Sequence, residues 1–466
     1  MTRRIGLILT SCFAVTFFGL GVGRAQTPAS GRVYPNLLVE ISNDFANACA
    51  SAAQHCETTP INQNQDKTRT NGCQTTRVWV STRFIPSNYD ARVEILLNGV
   101  ADALTHTTRG RVELGHTTHV SLLGNKVLIA DANGVREDVG GARANLDFNH
   151  LDYLRTDFCL PVDAVVRRIA QRLYDKQKPK IDSDIQKKAD EELCKQFTKM
   201  TADKIKEIND RYEKDYRKPM QVKDVFPQRI RLMTTETQLG IRALLTSPAG
   251  APVHSPVPEV VGWPDVAVRV DESLFNNYAQ GEFGGKTFTG PALDQEFKRL
   301  AGPVIGEAKT SAAGEKDVEI TFAKDKPFEF HFYDQKFKVI MRGQSLVSGG
   351  NDYNAWDITG EYSIRKTATG LMAQRQGNLT VYPPGFRRGQ DRMGASDKLF
   401  QEMLQRKFGR VFKEEFELKE VKLPDAVKSA GVLVTTQVDS DNGWLTLGFR
   451  RAPASTVSPA STPAPR

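Results

Sequence analysis

Three groups of residues in this 466-residue chain have types and spacing that could do chemistry. Gly281-Glu-Phe-Gly-Gly-Lys-Thr287 is glycine-rich and ends in Lys-Thr, as a phosphate-cradling loop does. Such a loop needs four residues between its first Gly and the Gly-Lys pair; here there are three. The run also follows a helical pattern instead of opening one, so it reads as a flexible turn. Thr105-His-Thr-Thr108 and His116-Thr-Thr-His119 gather three of the seven histidines. On a strand, residues three apart point to opposite faces, so His116 and His119 could share a metal only across a bulge. Cross-strand His/Thr pairs on a solvated face account for them at lower cost, and no metal is expected. The third group is the cysteines. Beyond Cys12 these are Cys49, Cys56, Cys73, Cys159 and Cys194, with no CxxC pair among them. In an exported chain they read as disulfides: Cys56 with Cys73 around the polar loop, Cys159 with Cys194, and Cys49 left over.

No GxSxG elbow, HExxH or DxDxDG is present. Glu191-Glu192 and Glu414-Glu415 fall on charged helix faces, where solvation explains them. The chain is therefore expected to be non-enzymatic and to need no cofactor. One apolar feature stands out instead. Phe328, Phe330 and Phe332 alternate with Glu329, His331 and Tyr333, which makes one face of that strand wholly aromatic. Phe337, Val339 and Met341 continue the face on the next strand. Such a face either packs on a helix or leaves an apolar slot beneath it.

The elements that must position this face are arranged twice. Val39-Glu-Ile-Ser-Asn-Asp-Phe45-Ala-Asn47 is matched by Val268-Arg-Val-Asp-Glu-Ser-Leu274-Phe-Asn276. Val93-Glu-Ile-Leu-Leu-Asn-Gly99 is matched by Phe337-Lys-Val-Ile-Met-Arg-Gly343, and Leu232-Met-Thr-Thr235 by Leu433-Val-Thr-Thr436. Three matches in one order, at offsets of 229, 244 and 201 residues, describe a tandem duplication. The expected fold is α+β: in each copy a twisted antiparallel sheet packs on helices. Copy one covers 34–246 and copy two 265–451, joined by a Pro-rich linker over 247–264. The change of offset places a charged helix, about 181–218, as an insertion in copy one. Val162, Val166, Ile169 and Leu173 form the stripe of a preceding helix that Pro179 is expected to break. Residues 452–466 are a Pro/Ser/Thr/Ala tail with little to bury, expected to be disordered.

Residues 1–25 read as a secretory signal: Arg3 and Arg4, an apolar stretch from Ile5 to Val22, then Gly23-Arg-Ala25 before the cut. An uncleaved membrane helix is the alternative for the same segment. Loss of Arg3, Arg4 and Arg24 lowers the net charge from +8 to +5, spread along the chain without a basic block interleaved with aromatics. The charge argues against nucleic acid as a partner, and the signal implies a periplasmic, envelope or secreted location.

Pro35-Asn-Leu-Leu-Val-Glu-Ile-Ser-Asn-Asp-Phe45 and Pro264-Asp-Val-Ala-Val-Arg-Val-Asp-Glu-Ser-Leu274, with the duplication, resemble the tubular lipid-binding superfamily that includes the bactericidal/permeability-increasing proteins. In that family a similar strand turns straight into the core helix. The resemblance implies two similar domains, each a twisted sheet around a long helix with an apolar lipid slot. It departs from the pattern in its short helices after Ser42 and Asp271 and in the charged insertion. The implied partner is a lipid or other hydrophobic small molecule. Its candidate lining is Phe45, Leu274, Phe275, Phe330, Phe332, Val339, Met341 and Met403. The alternative is an envelope scaffold or adhesion protein that binds an envelope protein through the long helix and sheet edges.

Overall fold

The structure, a computed structural model, describes residues 34–452 apart from 52–54, 66, 160–161, 248–249, 251, 255, 294, 297–317, 349, 368–369, 410, 420 and 423–429. The signal segment 1–25, the tail from 453 and parts of the linker lie outside the described residues. No helix among those described is long and apolar enough to cross a membrane.

Copy one opens with β1 (Leu37–Ser42) and α1 (Asn43–Ser51). Five long strands follow: β2 (His55–Gln65), β3 (Thr68–Ile85), β4 (Ala91–Arg109), β5 (Val112–Asp131) and β6 (Gly134–Thr156). They pair antiparallel in chain order. Next come α2 (Val162–Arg211), continued by a π-helical turn at Tyr212–Arg217 and a last turn at Lys218–Val222, then the hairpin β7 (Arg229–Thr234) and β8 (Gln238–Leu244).

Copy two repeats the plan with β9 (Val266–Asp271) and α3 (Glu272–Phe283). Its own sheet holds β10 (Thr287–Thr289), β11 (Val318–Phe322), β12 (Phe328–Tyr333), β13 (Lys336–Ser348) and β14 (Asn351–Tyr353). It continues with β15 (Trp356–Thr367), β16 (Gly370–Arg375), β17 (Thr380–Tyr382) and, after α4 (Ala395–Phe408), β18 (Glu415–Lys419). The chain closes with β19 (Val421–Lys422), β20 (Val432–Asp441) and β21 (Trp444–Ala452).

The two copies meet in one seven-stranded sheet, in the order β19-β20-β21-β9-β1-β8-β7. β1 pairs antiparallel with its own repeat, β9, and Val39 faces Val268. These are equivalent positions of the duplication, so a local twofold passes between them. An unchanged repeat would set Glu40 near a second glutamate; copy two has Arg269 there, and the two form an ion pair at 2.5 Å. The hydrogen bonds repeat as well. Asn36 Oδ1 accepts from Leu245 N at 3.0 Å, and Asp265 Oδ2 accepts from Arg451 N at 2.6 Å. Ser42 Oγ accepts from Phe45 N at 3.1 Å at the start of α1, and Asp271 Oδ1 accepts from Ser273 N at 2.9 Å at the start of α3. Each copy thus caps its helix with the last residue of its first strand.

The long helix is continuous, and this corrects two expectations. Pro179 lies inside α2 without ending it, and the stripe from Val162 and the charged segment after it are one helix. An interior proline costs about 3 kcal/mol. That cost is offset by contacts with the outer edge of β6 on the C-terminal side. Asp182 accepts from Asn149 Nδ2 at 2.8 Å, and Asp190 accepts from Ala144 N at 3.0 Å. Gln186 both accepts from Leu146 N, at 2.5 Å, and donates to Ala144 O. Asn209 accepts from Val135 N at 2.9 Å and donates to Val135 O at 2.8 Å. These side chains act as a substitute strand and close an edge that would otherwise invite pairing. The geometry is commensurate: from Thr156–Asp163 to Val135–Asn209, both strand and helix travel roughly 70 Å. The polarity of the helix follows from its position along an edge. Its apolar share is concentrated late, where Met200, Ile208 and Tyr212 enter the core formed by Val80, Ile95, Leu128 and Leu239.

The two expected disulfides are also corrected: all five described cysteines are free thiols. Cys56 stands opposite Arg77 and Cys73 opposite Pro60, so the pair is four residues out of register, roughly 13 Å apart. A disulfide requires Cα atoms within about 7 Å. Cys159 precedes α2 and Cys194 lies far along it, separated by about 48 Å of unbroken helix. Cys49 is 1% exposed, and burial pushes its thiol up to about 12. At pH 8 about one Cys49 in ten thousand is therefore thiolate. Maleimide labelling at that pH is expected to modify Cys56, Cys73, Cys159 and Cys194 within minutes and to reach Cys49 only after denaturation. Prompt labelling of Cys49 in the folded protein would show that its packing is wrong.

Candidate functional site

The aromatic strand is β12. Its turn to β13 uses Asp334 and Gln335, both in the left-handed region with φ of 45° and 59°, as a tight hairpin of matching twist requires. This turn is docked on the central sheet. Gln335 N donates to Ser440 O at 2.8 Å, Ser440 Oγ donates to Lys336 O at 2.6 Å, and Gly443 N donates to Phe332 O at 2.8 Å. Asn276 on α3 adds a further tie, accepting from Phe330 N at 2.7 Å. One end of the copy-two sheet is thereby held against α3, β20 and the turn that follows β20.

Between these clamped elements the side chains do not fill the space. A cavity of about 380 Å³ lies there. Phe328, Phe330 and Phe332 of β12 and Phe337 and Val339 of β13 form one wall. Tyr362 and Ile364 of β15, Leu371 and Ala373 of β16, and Phe416 and Glu417 of β18 extend it. Phe275 of α3, Leu445 and Leu447 of β21, and Val411 and Phe412 complete the lining of a pocket that stays partly open. Phe275 packs on Phe330 and Phe332 with ring centroids 5.2 and 5.9 Å apart, and Phe337 stacks on Tyr362 at 4.7 Å. Glu417 is the one carboxylate among the described lining residues, and the Tyr362 hydroxyl donates to Lys413 O at 3.1 Å. Burial drives that phenol well above its ordinary range, so it stays neutral. An apolar, largely aromatic pocket of this size suits an apolar ligand.

Of the eight candidates, Phe275, Phe330, Phe332 and Val339 line the cavity. Phe45 is fully buried elsewhere, with Ile41, Leu433 and Phe449 on the central sheet. Leu274 packs against Leu37, Ala243 and Val270. Met341 is fully buried in the copy-two core with Trp356, and Met403 packs on that core from α4. A Cβ on Gly343 would strike the Trp356 indole, so the ring that covers this end of β13 requires glycine beneath it. Leu371, Ala373, Leu445 and Leu447 were missed as lining. Their signal was the two-residue alternation of β16 and β21, which says that a face is apolar but not what it meets.

The other two chemical groups take structural places. Gly281–Lys286 is the C-terminus of α3, where Lys286 Nζ folds back to Gly281 O at 2.8 Å. A phosphate would meet carbonyl oxygens there. His119 sits between Asp102 and Asp147, at 2.5 and 3.5 Å, while His116 packs 5.4 Å from the Tyr174 ring of α2.

In comparisons with known proteins, no family model and no curated protein matches the chain. Among solved structures it is similar to a lipopolysaccharide binding protein. The likeness has a TM-score of 0.34 and 11% identity, over 90% of this chain and 99% of that one.

Proposed function

We propose that the protein is a non-enzymatic carrier that holds the acyl portion of a lipid, or a comparably elongated apolar molecule, in the copy-two cavity. The observation that carries this reading is the partly open pocket of about 380 Å³ whose walls are aromatic and aliphatic, with Glu417 the one carboxylate among its described lining residues. Each methylene moved from water into it would contribute about 0.8 kcal/mol, enough for micromolar affinity with a medium-length chain and no covalent chemistry. The polar end would remain in solvent at the open side of the pocket. Export through the N-terminal segment would place this binding outside the cytoplasm, where lipid must cross water between surfaces.

Native mass spectrometry on mature protein (Gln26 onward) exported from a bacterial host tests this directly. A reproducible added mass that extracts into solvent as phospholipid or fatty acid is expected. An apo mass, together with no uptake of a fluorescent fatty-acid analogue, would overturn the proposal.

A further inference from the structure

The long helix buries its aliphatic residues only along its later part. In its first turns the spacing is as regular, yet the side chains face outward. Val162, Val165, Ile169 and Leu173 are 51, 59, 53 and 54% exposed. They stand at i, i+3, i+7 and i+11, one continuous stripe down the helix. The side facing the protein here carries Asp163, bonded to Thr156, and Tyr174, packed on His116. The stripe is therefore left over after the helix has met its own sheet.

Charge decides what covers it. Residues 162–180 hold six cations and two acids. Asp163 is occupied by Arg167 at 2.8 Å, and Lys178 pairs with Asp182 at 2.6 Å. Arg168, Arg172 and Lys176 run beside the stripe, and none of them is in an ion pair among the described residues. A second copy packed on this face would bring two such cationic rows together with little but Asp175 to oppose them. An anionic lipid surface satisfies both features: the aliphatic side chains enter the acyl boundary while the arginines meet phosphates.

We infer that the first five turns of α2, Val162 to Lys180, are an interfacial docking element that seats the protein on an anionic bilayer surface. This face lies in copy one and shares no residue with the copy-two cavity. The two readings can therefore fail separately.

Co-sedimentation of the full mature protein with phosphatidylglycerol/phosphatidylcholine vesicles, compared with phosphatidylcholine alone, tests the inference. Wild type is expected to partition onto the anionic vesicles and to be released by salt. The V165S/I169S/L173S and R168E/R172E variants should each partition at least about tenfold less. Since the altered residues are exposed, both variants should melt as wild type does. They should also take up the fluorescent fatty-acid analogue as wild type does, which separates loss of docking from loss of the cavity. Absence of wild-type binding, or equal binding by all three proteins, overturns the inference. So does a wild-type dimer in light scattering that the serine variant dissolves, since the stripe would then be a self-association face.

Discussion

Replacing Ala373 with tryptophan is expected to reduce uptake of a fluorescent fatty-acid analogue by tenfold or more while the protein stays folded. Ala373 is 5% exposed, sits on β16 opposite Ile364 and Phe416, and turns its methyl into the cavity. An indole there would occupy space that is otherwise empty, so the ring competes with ligand more than with the core. Filling a void restores dispersion contacts, which offsets the strain of a larger side chain. The melting temperature should therefore move by only a few degrees. The converse variant, Phe330→Ala, enlarges the cavity, should cost about 3 kcal/mol, and should retain the ligand. Titration of the analogue into both, with thermal melts as the folding control, decides the matter. A folded Ala373→Trp protein that binds as wild type does would mean that the ligand sits elsewhere.

Asn36→Leu is expected to lower stability by roughly 3–5 kcal/mol. The side chain is fully buried where the copies join. Its Nδ2 donates to Leu245 O at 2.7 Å and to Ser273 Oγ at 3.2 Å, and its Oδ1 accepts from Leu245 N at 3.0 Å. Leucine has a similar size but leaves the Leu245 N–H and the Ser273 hydroxyl without these partners, each worth about 1–3 kcal/mol when buried. The Leu245 carbonyl is partly protected because Asn277 Nδ2 also reaches it, at 2.8 Å. Ser273 and Asn277 belong to copy two, so the loss should appear in the melting of both copies together. Denaturant unfolding followed by tryptophan fluorescence measures it. A shift below about 1 kcal/mol would show that the seam does not depend on this side chain.

The strand-to-helix unit around Val39 and Val268 was legible because its determinants are local. Alternation sets the strand, and Ser42 or Asp271 sets the helix start. The aromatic face of β12 was legible for the same reason: a period of two needs no partner to be seen. Other features depended on distant partners. Pro179 signals a break by every local rule, but Gln186, Asp190 and Asn209 find the β6 edge and keep the helix going. The cysteine spacing suggested loops to be closed. The register of β2 on β3 and the length of α2 hold those thiols apart.

By itself, then, the sequence determined the duplicated plan in antiparallel sheets and the residues of one wholly aromatic face, while the pairing of the equivalent strands β1 and β9 came only from the tertiary structure. Tertiary structure decided whether that face meets a filled core or a void. Met341 and Val339 lie on the same strand face, yet Met341 is fully buried in the copy-two core while Val339 borders the cavity. The same holds for α2, whose stripe at Val162 to Leu173 and whose core residues Met200 and Ile208 have similar spacing but opposite fates. Periodicity records which side of an element is apolar. What stands opposite is fixed by the separation of whole elements, and that depends on clamps such as Ser440–Lys336 and Asn276–Phe330, which join residues 104 and 54 positions apart.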